Sequence, residues 1–232
     1  MPAPQQRPSE PVTEAVTLSE RAATLVEHDI LAGHLAPGAR LGIVDLVERY
    51  EIGATPLREG LSRLVSRGLI VGIGQRGFRV ADVSREDLAD ITCMRTAIEI
   101  EAINLAITHG DDAWEAGILS ALHQMRRHIE RTGNEFREGA EDFDRLHKGF
   151  HTALLAACGS RRMLAAHSDL YDQAYRYRRV MMRQFDSGEK FVHVHQLLAD
   201  RVLSRDVPGA RVMLAEHLHS TINFVYPPDN GS

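Results

Sequence analysis

Residues 54–80 read ATPLREGLSRLVSRGLIVGIGQRGFRV, a helical pattern followed by two short β-prone runs. Thr55 is a favourable N-cap residue, Pro56 suits the first helical position because it lacks an N–H, and Gly68 is a typical helix stop. The β-prone runs flank a Gly-Gln-Arg-Gly turn and comprise residues 69–73 and 77–80. The stretch therefore predicts a helix and then a β-hairpin.

Two more helices are predicted upstream of this stretch. Apolar residues at three- and four-residue spacings indicate a helix from Leu18 to about Ala32 and a shorter one at about residues 43–50. The segment LAPGARL between them is typical of a turn. Three helices and a hairpin in this order are the outline of a winged helix-turn-helix domain, whose third helix enters the major groove of DNA.

The positive charge of the chain is concentrated in the same stretch. The net charge is −5 at pH 7, yet residues 53–80 hold five arginines and a single acidic residue, Glu59. A locally basic segment in an acidic protein favours binding of a polyanion. We therefore predict a double-stranded DNA operator as the partner, and the alternative is a winged helix that serves only protein contacts.

After Asp82 the pattern is helical as far as Tyr226, without strand-like alternation. Turn signals divide this region into predicted helices near residues 84–108, 112–131, 135–157, 161–185, 189–204 and 208–225. The predicted fold class is mainly α. We predict a disordered tail at residues 1–16 and a winged helix-turn-helix domain at residues 17–82. An all-α helical bundle is predicted at residues 83–226 and a flexible tail at residues 227–232.

The composition argues against several classes of protein. The chain has no apolar run of membrane-spanning length, and its proline-rich N-terminus lacks the apolar centre of a signal peptide, which predicts a cytoplasmic protein with no membrane partner. Cys93 and Cys158 make neither a disulfide scaffold nor a zinc ribbon, and we expect both to be buried, reduced thiols. A nucleophile elbow and a glycine-rich phosphate loop are both missing from the sequence, so we expect no enzyme activity.

Four histidines in the helical half form a candidate metal site. His147 and His151, in LHKGFH, lie one turn apart on one helical face, while His195 and His217 lie on two further predicted helices. Imidazole is the commonest metal ligand, and three or four of them suit a divalent ion such as zinc or nickel. The alternative is that each ring is a polar residue at a helix edge, bonded locally.

The spacing within HKGFH also matches the pair of histidines found in zinc proteases. That chemistry requires a general-base glutamate, and Lys148 stands at its position. A metal-dependent hydrolase in a helical bundle is therefore the disfavoured alternative to a DNA-binding protein.

Several segments resemble those of GntR-family transcription regulators. IGATPLREGLSRLVSRGLI is similar to the recognition region VSRTPVREALRRLEAEGLV of that family, and LAPGARL and GQRGFRV resemble its turn and wing. LHKGFHTALLAACGS, HQLLADRVLSRD and AEHL resemble the helical sensor of the FadR-like (FCD) subgroup. Within it, RYEIGATPLREGLSRLV, FHTALLAACGS and the Tyr177-Arg178 region look most like the carbon-starvation-induced regulators. The resemblance spans about residues 18–220 in collinear order. It implies a homodimeric transcription regulator, a repressor, that responds to a small carboxylate such as glutarate.

The resemblance also implies roles for individual residues. At the positions that contact DNA in the family, this chain has Thr55, Arg58, Arg63, Gln75, Arg76 and Gly77. The family's arginine before the threonine is replaced here by Ala54. At the positions of the family's metal ligands, the chain has His147, His151, His195 and His217. Many members have aspartate or asparagine at the position of His147, and Asp144 is a candidate substitute for that carboxylate.

The family's effector-binding arginines correspond to Arg95 and Arg178. A guanidinium holds a carboxylate through two parallel charge-assisted hydrogen bonds. For Arg95 the alternative is an ion pair with Glu99, one helical turn further on. For Arg178 the alternative is a solvated position on a helix face.

Overall fold

The computed structural model of the protein describes residues 16–133, 140–181 and 187–227. Its N-terminal part, called the winged domain below, contains α1 (Leu18–Leu31), β1 (Arg40–Leu41), α2 (Ile43–Tyr50), α3 (Ala54–Ser66), β2 (Ile70–Gly72) and β3 (Phe78–Val80). The predicted tails, apart from Val16 and Pro227, lie outside the described residues, as do the predicted helical segments 135–139 and 182–185.

The C-terminal part, called the helical domain below, contains the helices predicted for it. They are α4 (Arg85–His109), α5 (Asp112–Thr132), α6 (Glu141–Leu155), α7 (Arg161–Met181), α8 (Gly188–Leu203) and α9 (Val207–Val225). The end of α6 differs from the prediction because Ala156–Cys158 form a separate 3-10 turn before Gly159, whose φ is +74°. The predicted fold class, a winged helix-turn-helix followed by an all-α bundle, is confirmed.

The wing is a three-stranded antiparallel sheet in the order β1-β3-β2. Ile70 pairs with Val80 across the predicted hairpin, and Leu41 pairs with Phe78. Strand β1 was not predicted, because its two residues stand at the end of the LAPGARL turn. Gly38 in that turn has a φ of +75° and donates its N–H to the carbonyl of Val80, which brings β1 to the edge of the sheet.

The start of α3 differs from the predicted N-cap at Thr55. The helix begins at Ala54, and Gly53 is the N-cap, without a side-chain cap hydrogen bond. The carbonyl of Gly53 accepts the N–H of Leu57, at 3.2 Å. Pro56 is therefore the third helical residue, where its missing N–H still costs nothing because the first four N–H groups of a helix have no intrahelical partner.

The winged domain is held together by close packing of α1 on α3. Leu57, Leu61 and Leu64 of α3 are buried, on one helical face. Gly60 lies on that face too, and a Cβ built on it would be 2.8 Å from the backbone oxygen of Ser19. Only glycine permits this approach of the two helices.

The helical domain has its own apolar core, in which α4 packs on both α7 and α9. Trp114 of α5 is buried and donates its Nε1–H to the carbonyl of Ala153, at 3.0 Å. Cys158 is buried as predicted, but Cys93 is exposed. In the described part of the chain, no helix has the length and apolarity needed to cross a membrane.

Candidate metal centre and nucleic-acid interface

The four predicted histidines converge at one point of the helical domain. His147 and His151 come from α6, His195 from α8 and His217 from α9. The Nε2 atom of His147 is 2.9 Å from that of His195 and 3.0 Å from that of His151, and the Nε2 atom of His217 is 3.2 Å from that of His151. One nitrogen from each ring lies within 4.8 Å of those of all the others. The alternative of four separate helix-edge residues is therefore wrong.

Hydrogen bonds at the far side of two rings fix which nitrogen carries the proton. His195 places Nδ1 2.7 Å from the carbonyl oxygen of Phe191, which only accepts, so Nδ1 is the donor. His147 places Nδ1 3.1 Å from the hydroxyl of Tyr171, which itself donates to Asp144 at 2.9 Å. Each of these two rings therefore directs the lone pair of Nε2 at the centre of the cluster.

Burial keeps these imidazoles in the neutral form that binds metals. It lowers the pKa of His147, His151 and His217 well below the ordinary value, and the pKa of His195 to about 4. Facing lone pairs at 2.9 Å repel each other, and a divalent cation between them would convert that repulsion into ligation. The donor set, four imidazole nitrogens, fits zinc or nickel.

The carboxylate of Asp144 is not among the converging ligand atoms, so it does not directly replace the carboxylate ligand that the resemblance implies. It accepts hydrogen bonds from Tyr171 and from the Nη2 of Arg178, the latter at 3.2 Å. Its carboxylate thus orients Tyr171, and Tyr171 orients the ring of His147. This is the carboxylate support commonly found behind metal-binding histidines, extended here by one hydroxyl.

Both predicted effector-binding arginines lie beside the histidines and are buried. The guanidinium of Arg95 is 5.2 Å from the centre of the Tyr171 ring, and that of Arg178 is 4.8 Å from it. The alternative of a solvated Arg178 is wrong, because only 3% of its surface is exposed. The Arg95–Glu99 ion pair is present, with Nε 2.7 Å from Oε1.

Two members of this site were missed from the sequence. Tyr171 stands at its centre, and His167 places Nδ1 3.0 Å from Oε1 of Glu99. His167, Tyr171 and Arg178 follow the four- and seven-residue spacing of one helical face, on α7. That periodicity was the signal in the sequence, but it did not indicate which face of α7 meets the histidines.

A second group of candidate metal ligands lies in the winged domain. His28 and His34 direct Nδ1 at Oδ1 of Asp29, from 3.4 and 3.1 Å. The other oxygen of Asp29 lies 2.6 Å from both the hydroxyl of Tyr50 and the Nη2 of Arg49. The cation of Arg49 already balances this carboxylate, and both histidines are exposed, so hydrogen bonding accounts for the group.

The predicted DNA-contacting side chains lie on the outside of the winged domain. Thr55 and Arg58, in the first turns of α3, and Arg76 in the wing are exposed. Arg63 is exposed too, with its Nη1 3.2 Å from Oε1 of Glu20. Gly77 adopts a φ of +95°, which turns the wing back into β3, while the side chain of Gln75 lies outside the described residues.

Comparison with known proteins identifies both parts of the chain. Residues 18–80 match the bacterial regulatory proteins of the gntR family, and residues 90–220 match the FCD domain. The chain belongs to the GntR family, in its FCD subgroup. It is a DNA-binding transcription regulator and not an enzyme, so the hydrolase alternative is wrong.

The GntR regulator described here has relatives of similar length. It is 34% identical to the HTH-type transcriptional repressor GlaR of Escherichia coli (strain K12), over 86% of this chain and 92% of that protein. It is also 34% identical to the HTH-type transcriptional regulator BphR of Paraburkholderia xenovorans (strain LB400), over 93% and 88% of the two chains. The structure of McbR/YncC from E. coli has the same fold, with a TM-score of 0.74, 24% identity and coverage of 91% and 98%.

Proposed function

We propose that the protein is a homodimeric repressor whose helical domain binds a small carboxylate next to a divalent metal ion. The observation that carries this proposal is the convergence of four imidazoles next to Tyr171, whose ring also contacts two buried arginines. The similarity of this chain to GlaR, a protein named as a repressor, supports repression over activation.

His147, His151, His195 and His217 would hold the metal, with zinc or nickel as the candidates. A bound divalent ion supplies a positive centre for a carboxylate oxygen without any proton transfer. The protein's own contribution is to keep the four rings neutral, and to fix two of them through Tyr171 and Phe191.

Arg95 and Arg178 would clamp the carboxylate of the effector. The ion pair with Glu99 uses Nε and Nη2 of Arg95, and Nη1 is the donor that we assign to the effector. Two buried arginines and a metal together favour a dicarboxylate such as glutarate over a monocarboxylate, because each end then has a cationic partner.

In the winged domain, α3 would enter the major groove. Arg58 is exposed one turn from the helix start, where a bidentate contact with a guanine is the preferred role of an arginine. Thr55 at the positive end of the helix and Arg76 in the wing would contact phosphates. We also assign Arg63, Gln75 and Gly77 to the DNA interface. A dimer would carry two such domains and suit a palindromic operator.

Repression is relieved only if the effector prefers the conformation that does not bind DNA. Fluorescence anisotropy with a duplex from the protein's own upstream region, with and without glutarate, tests the proposal. We expect Arg58→Ala to weaken DNA binding by about tenfold to a hundredfold, which corresponds to one bidentate base contact. His151→Ala should bind the duplex normally and fail to respond to glutarate.

The matched control is Arg211→Ala, which removes an exposed arginine from α9 of the helical domain. It should leave both DNA binding and the response unchanged. Normal DNA binding by Arg58→Ala would mean that α3 is not the recognition helix. An intact glutarate response in His151→Ala would overturn the proposed effector site.

A further inference from the structure

Helix α7 lies between the histidine site and the winged domain. Tyr171 and Arg178 border the histidines, as described above. On the opposite side, Asp169, Asp172 and Arg176 contact residues of the winged domain or of the segment that follows β3. A single helix therefore touches both the proposed sensor and the DNA-binding part.

The central contact of this joint is Arg67, at the C-terminal end of α3. Its Nη1 lies 2.6 Å from Glu27 of α1, its Nε lies 2.6 Å from Asp169 and its Nη2 lies 2.9 Å from Asp172. Three nitrogens of one planar group thus hold three carboxylates from two domains. A lysine could not reproduce this arrangement, because its ammonium is a single point of charge.

Two further arginines of α7 bind backbone oxygens around the same place. Arg176, which is 3% exposed, donates to the carbonyls of Ala81 and Asp82 after β3. Arg179 donates to the carbonyl of Ala32 at the end of α1. Arg67 differs from these two arginines because it pairs with carboxylates. A second side-chain contact between the domains joins Nε2 of His28 in α1 to Oε1 of Glu141 in α6, at 3.0 Å.

Asp172 also connects the joint to the helix that carries two of the histidines. Its Oδ1 is 2.6 Å from Nζ of Lys148, while its Oδ2 accepts from Arg67. Lys148 directly follows His147 on α6. Only 6% of the Asp172 side chain is exposed, so its carboxylate is held almost entirely by these two cations.

We propose that Arg67 and Asp172 are positioning residues for DNA binding, which fix the orientation of the winged domain on the helical domain. In the dimer of the proposed function, on which this inference rests, that orientation sets the distance between the two recognition helices. Neither residue is among the predicted DNA contacts. The pair determines which half-site spacing both winged domains can occupy together, and the shared carboxylate of Asp172 ties that spacing to α6.

Operators with altered spacing test this directly. After the operator in the upstream region has been located by footprinting, anisotropy is measured on the native duplex, on one lengthened between its half-sites by about 5 base pairs, half a helical turn, and on a single half-site. We expect wild-type protein to bind the lengthened duplex about 100-fold more weakly than the native one, because only one winged domain then engages.

In Arg67→Gln and in Asp172→Asn this ratio should fall to about tenfold or less, because a loosely held winged domain tolerates both spacings. Affinity for the single half-site should stay the same, which a damaged winged domain would not allow. The double variant should lose less than the sum of the two single losses, since both changes remove the same Arg67–Asp172 pair. Arg201→Gln, which breaks an exposed ion pair with Asp206 inside the helical domain, is the control and should keep the wild-type ratio.

If Arg67→Gln kept the wild-type ratio of affinities for the native and the lengthened duplex, the inference would be overturned and the proposed function would stay intact. A parallel loss of half-site affinity would overturn it as well, because Arg67 would then stabilise the winged domain itself. If wild-type protein bound both spacings equally, the proposed two-headed binding would be wrong, and this inference with it.

Discussion

The Nε2 atoms of His147 and His195 lie 2.9 Å apart, although both rings carry their proton on the far nitrogen. Two lone pairs at this distance are unfavourable unless something positive lies between them. Protonation is opposed by burial, which lowers the pKa of both rings. The metal ion of the proposed function would stabilise the arrangement by taking up these lone pairs.

Metal removal should therefore destabilise the helical domain. An ion present at 100 times its Kd contributes about 2.7 kcal/mol to the free energy of unfolding, so a chelator should lower Tm by roughly 5–10 °C in a protein of this size. Differential scanning fluorimetry measures the shift. His195→Ala should lose the response to chelator, whereas His193→Ala, an exposed histidine on the same helix, should keep it. An unchanged Tm in chelated wild-type protein would contradict this prediction.

The two interpretations of Arg95, ion pair and effector ligand, predict different results for single and double variants. Arg95→Met leaves the buried carboxylate of Glu99 without its main cation and should cost about 3–5 kcal/mol in urea unfolding. Replacing both Arg95 and Glu99 by methionine should recover much of that loss. The glutarate response should be absent from both variants. A response restored together with stability would show that Arg95 has only a structural role.

Tyr50 and Asp29 give the winged domain a stability that depends on pH. Burial raises the pKa of Asp29, but hydrogen bonds from Tyr50, His34 and His28 outweigh it and lower the pKa below 3.8 overall. Because this pKa is lowered, the ionised Asp29 stabilises the folded protein above pH 3.8. That stabilisation is lost as the pH falls through the pKa of Asp29 in the folded protein.

Tyr50→Phe should thus reduce the free energy of unfolding by about 1.5–3 kcal/mol at pH 7, the range for a hydrogen bond to a charged group. This difference in the free energy of unfolding should shrink as the pH approaches 3. Asp29 is protonated at a higher pH in the variant than in the wild type. Once it is protonated in both proteins, the wild type has lost its charge-assisted hydrogen bond as well. Urea unfolding of the two proteins in parallel measures the difference. A gap that stays constant down to pH 3 would refute the role of the Asp29 carboxylate.

Gly60 lies where α3 packs against the backbone of α1. A Cβ at this position would meet Ser19 O and Ala23 N, backbone atoms that cannot move without shifting α1. Gly60→Ala should therefore destabilise the winged domain by about 1–3 kcal/mol and weaken DNA binding, with metal content unchanged. Gly117→Ala on α5, where an added Cβ meets nothing within 4 Å, is the control. Equal stability of the two variants in thermal unfolding would contradict the packing argument.

Most of the helices followed from periodicity, because amphipathic patterns in α1 and α5, and a first-turn cap such as Ser84, are local properties. The wing hairpin followed from its glycines. Strand β1 did not, since two residues carry no pattern and their pairing depends on the left-handed turn at Gly38. The N-cap of α3 was misplaced because Thr55 has the better capping side chain, while the backbone turns already at Gly53.

The four histidines of the site were predicted, but the residues that orient their rings were not. Spacing could place four rings on the inner faces of three helices, and the family resemblance selected the same four. The contact of Tyr171 with His147 joins α7 to α6, and the three-way pairing of Arg67 joins two domains. Such contacts depend on how elements pack, which no local pattern contains.

The metal content of the purified protein decides whether the four histidines are ligands. Elemental analysis by mass spectrometry, on protein prepared without chelator, should find about one zinc or nickel ion per chain, as expected for a single four-histidine site. The same analysis of His195→Ala should find almost none. Less than about half an ion per chain in the wild-type protein, or an unchanged content in the variant, would contradict the assignment of the four histidines as ligands.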